Sequence, residues 1–386
     1  MRDDYARLLD FCRSHATWVR ETVEALVTLE SPSDNRAAAD RCGAHLAEKL
    51  ATIGAEVSRW PGLGCGDHIR AEWHGLPMQD ASRSRPLLVI GHFDTVWAVG
   101  TLDRMPLHAR DGRLYGPGIF DMKAGIAAAM LALRALAECR GTLPHVVMLW
   151  TADEEIGSGS SRAVIEATAR TASAVLVLEP SLPGGAAKTS RKGVGEFDLV
   201  VHGVAAHAGL DPGSGTSAVH ELARQILALE ALQDPSRGIT VNVGVVGGGS
   251  RGNVIADRAH AVIDVRVGTI ADAVSLDAAI RSLRPTRSRI RLEVTGGIGR
   301  PPLERSPAVI GLYERARDVA AALGGELGEG PAGGGSDGNF TAALGVPTLD
   351  GLGPQGDGAH ALHEHIVIDD LVWRGAFLAG LIDSLA

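Results

Sequence analysis

Cysteine and aromatic side chains are scarce in this chain. Four cysteines occur in 386 residues, at Cys12, Cys42, Cys65 and Cys139, and none forms a C-x-x-C pair. This spacing argues against a cysteine-based zinc site and against a disulfide framework, leaving reduced, buried thiols as the expectation. No segment reaches the ~18–20 uninterrupted apolar residues of a membrane span. The stretch 1–33 is amphipathic and charged throughout, without the apolar segment of a signal peptide, so no membrane partner and a cytoplasmic location are expected. A basic excess is also missing. Lys and Arg number 37 against 46 Asp and Glu, and the net charge of −9 is spread without blocks. No basic stripe offers itself to nucleic acid.

Glycine is plentiful at 49 residues, while aromatics make up 4%. That balance suits an α/β protein with tight loops and alanine-rich helices. The length favours two domains over one core.

Helical spacing of apolar residues covers 16–52. Apolar runs then alternate with helical patterns. RPLLVIGHFDTV, HVVMLWTADEE and ASAVLVLEP read as buried strands, with a long helix starting at Asp121 and another in SGSSRAVIEATA. This alternation predicts a mostly parallel sheet covered on both faces by helices. After Lys192 the strands alternate openly and the order becomes β-α-β-β-α-β, that of a ferredoxin-like (α+β) domain. The first pattern resumes at Arg300 with helices over SPAVIGLYERARDVAAAL and DDLVWRGAFLAGLIDSLA. The expected organisation is a catalytic domain in two parts, 1–192 and 300–386, with a smaller domain inserted at 193–299.

Acidic and imidazole side chains stand where the apolar strands stop, the edge at which α/β folds place their sites. His92 and Asp94 are two apart and face the same way on an extended chain, so one can bind metal while the other orients it. Asp121 follows a glycine-rich turn and reads either as a helix N-cap or as a carboxylate bridging two metals. Glu154 and Glu155 project differently, so Glu155 can ligate while Glu154 serves as general acid/base. A neighbouring dication makes hydroxide available near neutral pH. Glu179 ends an apolar run and needs a partner or a metal. His360, His363 and His365 share one glycine-rich loop, and spacing alone does not choose among them.

GHFDTV, GPGIFDMKAG, TADEEIGSG, LEP, HGVAAHAG, GGSRGNVIADRA, DVRV, GGGSDGN and GAHALHE together resemble the M20 metallopeptidase family, most of all its glutamate carboxypeptidase branch. The resemblance spans nearly the whole chain. It implies a two-zinc metallo-carboxypeptidase or amidohydrolase, with cobalt or manganese as possible substitutes. His92 and Glu179 would hold one zinc, Glu155 and His360 the other, and Asp121 would bridge them. Asp94 would support His92, and Glu154 would be the general base. His360 is chosen because the family places its ligand four residues before the Glu matched by Glu364. The inserted domain resembles the family's lid and dimerisation domain, so a homodimer is implied. There His207 would polarise the scissile carbonyl. Asn253 and Arg266 would meet the carboxylate of a small N-acyl or peptidyl substrate, most simply that of glutamate. Arg266 alternates with Asp264, and a cross-strand salt bridge on that sheet is the plain alternative. Any one of Lys188, Arg191 and Lys192 would meet a second carboxylate, and Gly334 in the GGGSD turn would offer backbone N–H groups. The rival readings are an N-acyl-amino-acid deacylase of the acetylornithine or succinyl-diaminopimelate type and a non-catalytic binding homologue.

Overall fold

The computed structural model describes residues 2–75 and 85–386. The chain divides into two compact units. One comprises Met1–Ser190, Arg305–Ala332 and Ser336–Ala386, the other Arg191–Glu304 with Gly333–Gly335.

The first unit is built on a six-stranded sheet. Its order is Glu56–Trp60, His68–Trp73, Val146–Thr151, Leu87–His92, Ala174–Val177 and Thr348–Leu349. The last four strands run parallel, and the first two join antiparallel. Every residue of Leu87–His92 and Val146–Thr151 is buried. Leu87 and Val89 enter one core with Met148 and Trp150, whereas Leu88 and Ile90 enter another with Val147, Ile165 and Phe340. Burial on both faces is why these strands read as unbroken apolar runs. The antiparallel pair was not legible in the sequence, because charged residues interrupt both segments.

Helix Ala124–Arg140 is buried along almost its whole length. Its small side chains and Gly375 let helix Ile368–Leu385 approach closely. A Cβ at Gly375 would stand 2.6 Å from Leu131. One element begins later than the sequence predicts. Asp121 and Met122 have non-helical backbone angles in the turn Ile119–Lys123, and the helix starts at Ala124. Asp121 is therefore not the N-cap of that helix. A small antiparallel sheet joins Gly356–Asp357, His365–Val367, Arg113–Tyr115 and His108–Arg110. Its first two strands bracket the loop that carries His360.

The second unit has strands Gly193–His202, Thr240–Gly248, Arg258–Val267 and Arg291–Arg300, with helices Ala218–Glu230 and Ile270–Arg281. The antiparallel sheet order is Thr240–Gly248, Arg258–Val267, Gly193–His202, Arg291–Arg300, which is the ferredoxin-like arrangement. Phe197, Leu199 and Val201 pack with Leu222, Ile263 and Leu276, while the alternating Glu196 and Asp198 are exposed. Among the described residues no helix is long and apolar enough to cross a membrane.

Candidate metal centre

His92 is the last residue of its strand and is buried. Its Nε2 lies 3.2 Å from Asp121 Oδ1 and 3.4 Å from Glu179 Oε1. Its Nδ1 faces the Asp94 carbonyl at 3.0 Å and the Asp94 carboxylate at 3.4 Å. On the other side of Asp121, His360 Nε2 lies 3.4 Å from Asp121 Oδ2 and 3.1 Å from Glu155 Oε2. Two triads result, His92–Asp121–Glu179 and Asp121–Glu155–His360, each with donor atoms within 4.8 Å of one another. Asp121 belongs to both.

The donor set tests what could sit there. Three carboxylates and two imidazoles converge, with oxygen and nitrogen donors only. That set fits a zinc-class divalent cation, and one shared carboxylate fits two of them. His360 holds a left-handed backbone, φ 62°, a conformation costly for a side chain of this kind and found at functional loops.

Protonation follows the same contacts. Burial opposes charge on His92, but hydrogen bonds to Asp121, Asp94 and Glu179 prevail and lift its pKa well above the usual imidazole value. Bonds to Asp121 and Glu155 raise His360 to about 10, against the pull of burial. Burial pushes Asp121 upward, yet the two imidazoles hold it below the ordinary carboxylate range. Burial raises Glu155, with His360 opposing. A dication bound by these groups would compete with their protons.

Asp94 does more than orient His92. It accepts from Ser33 Oγ at 2.6 Å and from the backbone N–H groups of Glu154 and Glu155 at 3.3 and 3.2 Å. One carboxylate thus ties the His92 strand to the Glu154–Glu155 turn.

Glu364 was named in the sequence only to identify His360, yet it organises the site. It is fully buried. One oxygen accepts from Trp97 Nε1 at 2.8 Å and Gly118 N at 3.0 Å, the other from Phe120 N at 2.9 Å and Asp121 N at 3.1 Å. Burial still raises its pKa against those four donors. Gly118 makes the turn possible, with φ at 69° and no room for a Cβ beside Thr95. Lys123, also buried, donates to the carbonyls of Leu26 and Leu29 at 2.9 Å each, fastening the Asp121 turn to the end of helix Ala16–Thr28.

The remaining predicted residues, Lys188 apart, lie in the second unit. His207 and Asn253 are neighbours: Ala206–His207 pairs with Val254–Ile255, and Ala208 N donates to Asn253 O at 3.0 Å. His207 Nδ1 accepts from the N–H groups of Gly209 and Leu210, both at 3.1 Å. That leaves the proton of the neutral ring on Nε2, an exposed donor. Arg266 forms a two-pronged pair with Asp264 at 3.0 and 2.8 Å. Arg191 is buried and donates to the carbonyls of Gly334 and Gly335, at 3.2 Å each. Lys188, in the first unit, is buried as well, whereas Lys192 is half-buried beside Gly238.

Comparison with known proteins gives one answer at the level of family. Residues 88–384 match the model of peptidase family M20/M25/M40. Carboxypeptidase G2 of Pseudomonas sp. (strain RS-16) is 30% identical over 372 residues, covering 94% of this chain and 87% of that protein. Succinyl-diaminopimelate desuccinylase of Delftia acidovorans is 27% identical over 374 residues, covering 91% and 94%. The solved structure of aminopeptidase PepT from Bacillus cereus superposes with a TM-score of 0.80 at 20% identity, covering 96% of this chain and 98% of that one. The chain belongs to peptidase family M20/M25/M40 and is a metal-dependent hydrolase.

Proposed function

We propose that this chain hydrolyses an amide bond to release a C-terminal amino acid, glutamate foremost, from N-acyl or peptidyl substrates. The observation that carries this reading is the pair of triads sharing Asp121, with Glu154 beside the ligand Glu155. His92, Asp121 and Glu179 would hold one zinc-class ion, and Asp121, Glu155 and His360 the other. When bound, the ions supply Lewis acidity and a water of lowered pKa. Glu154 takes a proton from the attacking water and gives it to the departing amine nitrogen. His207 Nε2–H donates to the carbonyl oxygen as charge develops on it. Arg266 exchanges Asp264 for the free carboxylate of the substrate, assisted by Asn253. Gly334 N–H and Lys192 complete the proposed contacts. The 30% identity with carboxypeptidase G2 supports the carboxypeptidase reading. Deacylation of an N-acyl diamino acid breaks the same type of bond and is the second reading, supported by the desuccinylase relative.

Arg266 and the segment leading to His207 lie towards opposite ends of the four-stranded sheet, His207 itself being in the two-stranded pair beyond it. Arg258 pairs with His202, five residues before His207, and Arg266 pairs with Val194. A strand rising ~3.3 Å per residue separates Arg258 from Arg266 by roughly 26 Å. A dipeptide-sized substrate extends only about 7 Å. We therefore infer a homodimer in which His207 and its neighbour Asn253 serve the partner's substrate, where that Asn253 assists the Arg266 of the chain holding it.

The test is release of glutamate from N-benzoyl- and N-(4-aminobenzoyl)-glutamate, with N-acetylornithine and N-succinyl-diaminopimelate in parallel and Glu154→Gln as blank. Turnover only of the acylated diamino acids would refute the carboxypeptidase reading. Mixing inactive Glu154→Gln and His207→Ala chains should restore activity in heterodimers. No restoration would place His207 in its own chain's site.

A further inference from the structure

Large aliphatic side chains are exposed at only five described positions of the first unit: Leu63 (84%), Val96 (46%), Val99 (53%), Ile156 (60%) and Leu362 (68%). All five lie on loops tied to the metal centre. Val96 and Val99 follow His92 and Asp94, Ile156 follows Glu155, and Leu362 stands between His360 and Glu364. Leu63 joins through its backbone N–H, which donates at 2.9 Å to Ser160 Oγ in the loop after Glu155. The anchoring is extensive. Trp97 bonds Glu364, linking the Val96 and Leu362 loops. Glu30 fixes Gly100 N and Leu102 N at 2.7 and 3.0 Å. Asp94 holds the turn that carries Ile156.

Exposed apolar side chains scattered singly need no explanation, but a set confined to the loops of one site does. The same loops lack cations: residues 61–67, 93–100, 152–161 and 356–364 contain no Lys and no Arg. Arg36 reaches the first of these loops but is engaged with Gly62 O and Asp67, so the loops themselves offer an alkyl or aryl group apolar surface and a carboxylated acyl group no cation of their own.

We propose that this rim receives the acyl part of the substrate and selects apolar acyl groups, medium-chain aliphatic or aromatic, over succinyl and acetyl. Leu63 and Leu362, the most exposed of the five, are the specificity determinants. The inference rests on the amide-hydrolase reading above but is independent of which amino acid leaves.

The experiment compares kcat/KM for N-acetyl-, N-butanoyl-, N-hexanoyl- and N-succinyl-glutamate, and repeats the series on the alanine conjugates. Each added methylene should raise kcat/KM about twofold, as expected for partial burial on a rim, and succinyl should fall below butanoyl. Leu63→Ser with Leu362→Ser should flatten the slope, lowering kcat/KM for hexanoyl several-fold more than for acetyl. If glutamate is the wrong leaving group, absolute rates favour alanine but the slope persists in both sets. A flat series in both sets, or succinyl matching hexanoyl, overturns the proposal. A flat series in which Leu63→Asp also dissociates a dimer overturns it in favour of a subunit contact.

Discussion

Replacing Glu364 with Gln should loosen the metal centre without touching a ligand. Each Glu364 oxygen accepts two hydrogen bonds. Gln keeps one oxygen and presents an NH2 in place of the other, so two of the four donors face a donor. A buried, unsatisfied donor costs about 1–3 kcal/mol, which gives about 2–6 kcal/mol. Relief from burying a charge returns part of this, because burial disfavours the Glu364 carboxylate. A net loss of about 2–4 kcal/mol remains, large beside total stabilities of about 5–15 kcal/mol. Urea unfolding followed by tryptophan fluorescence is the direct assay, since all six tryptophans lie in the first unit and Trp97 bonds Glu364 itself. The Asp121 turn should also hold metal about 10–100-fold more weakly, the usual cost of losing a group that orients ligands. A Glu364→Gln protein that unfolds within about 0.5 kcal/mol of wild type and keeps its metal affinity would refute the reasoning.

Metal binding near pH 7 should release protons, because His92 and His360 are both raised in the metal-free protein, His360 to about 10. Titration calorimetry in buffers of different ionisation enthalpy should give different apparent heats, and identical heats would contradict it. For the metal-free fold the sign is set by the raised value: the His360 contribution is complete below the ordinary 6.5 and disappears as pH rises through about 10. Asp121→Ala should remove metal from both triads, whereas Glu179→Gln and Glu155→Gln should each weaken mainly one. Metal analysis of the purified variants decides, and equal loss in all three would count against a shared Asp121. Asp264→Asn should free Arg266 and lower KM for carboxylated substrates by up to about fivefold, the scale of a partly exposed ion pair, with kcat unchanged. A raised KM would instead make Asp264 the residue that positions Arg266.

Strands buried on both faces announce themselves, and Leu87–His92 and Val146–Thr151 were legible for that reason. His92, Asp94, Glu155 and Glu179 were legible as polar residues closing apolar runs. Asp121 was legible as a candidate but not in its placement, since an aspartate before an alanine-rich segment looks like a helix cap. The organising role of Glu364 left no trace in spacing. Three of its four donors are backbone N–H groups more than 240 positions away, and backbone donors carry no residue identity. The exposed Nε2–H of His207 was equally hidden, since it depends on how the following turn folds back. A salt bridge at Arg266 was expected across strands, but its partner is Asp264 on the same strand, since residues two apart on a strand share a face.

The inserted second unit gives the metal centre a history in time. On the ribosome, His92, Asp121, Glu155 and Glu179 emerge first, and the whole of Arg191–Glu304 follows before His360 and Glu364 are made. Domains fold as units during synthesis, so the inserted unit is complete while four candidate ligands still wait for the fifth. Helix Ile368–Leu385, which packs on the buried Ala124–Arg140 helix, arrives last of all. A nascent chain therefore carries a cluster of carboxylates without the imidazole that balances Glu155 or the Glu364 anchor that shapes the Asp121 turn. The centre is completed only after the inserted unit has been made.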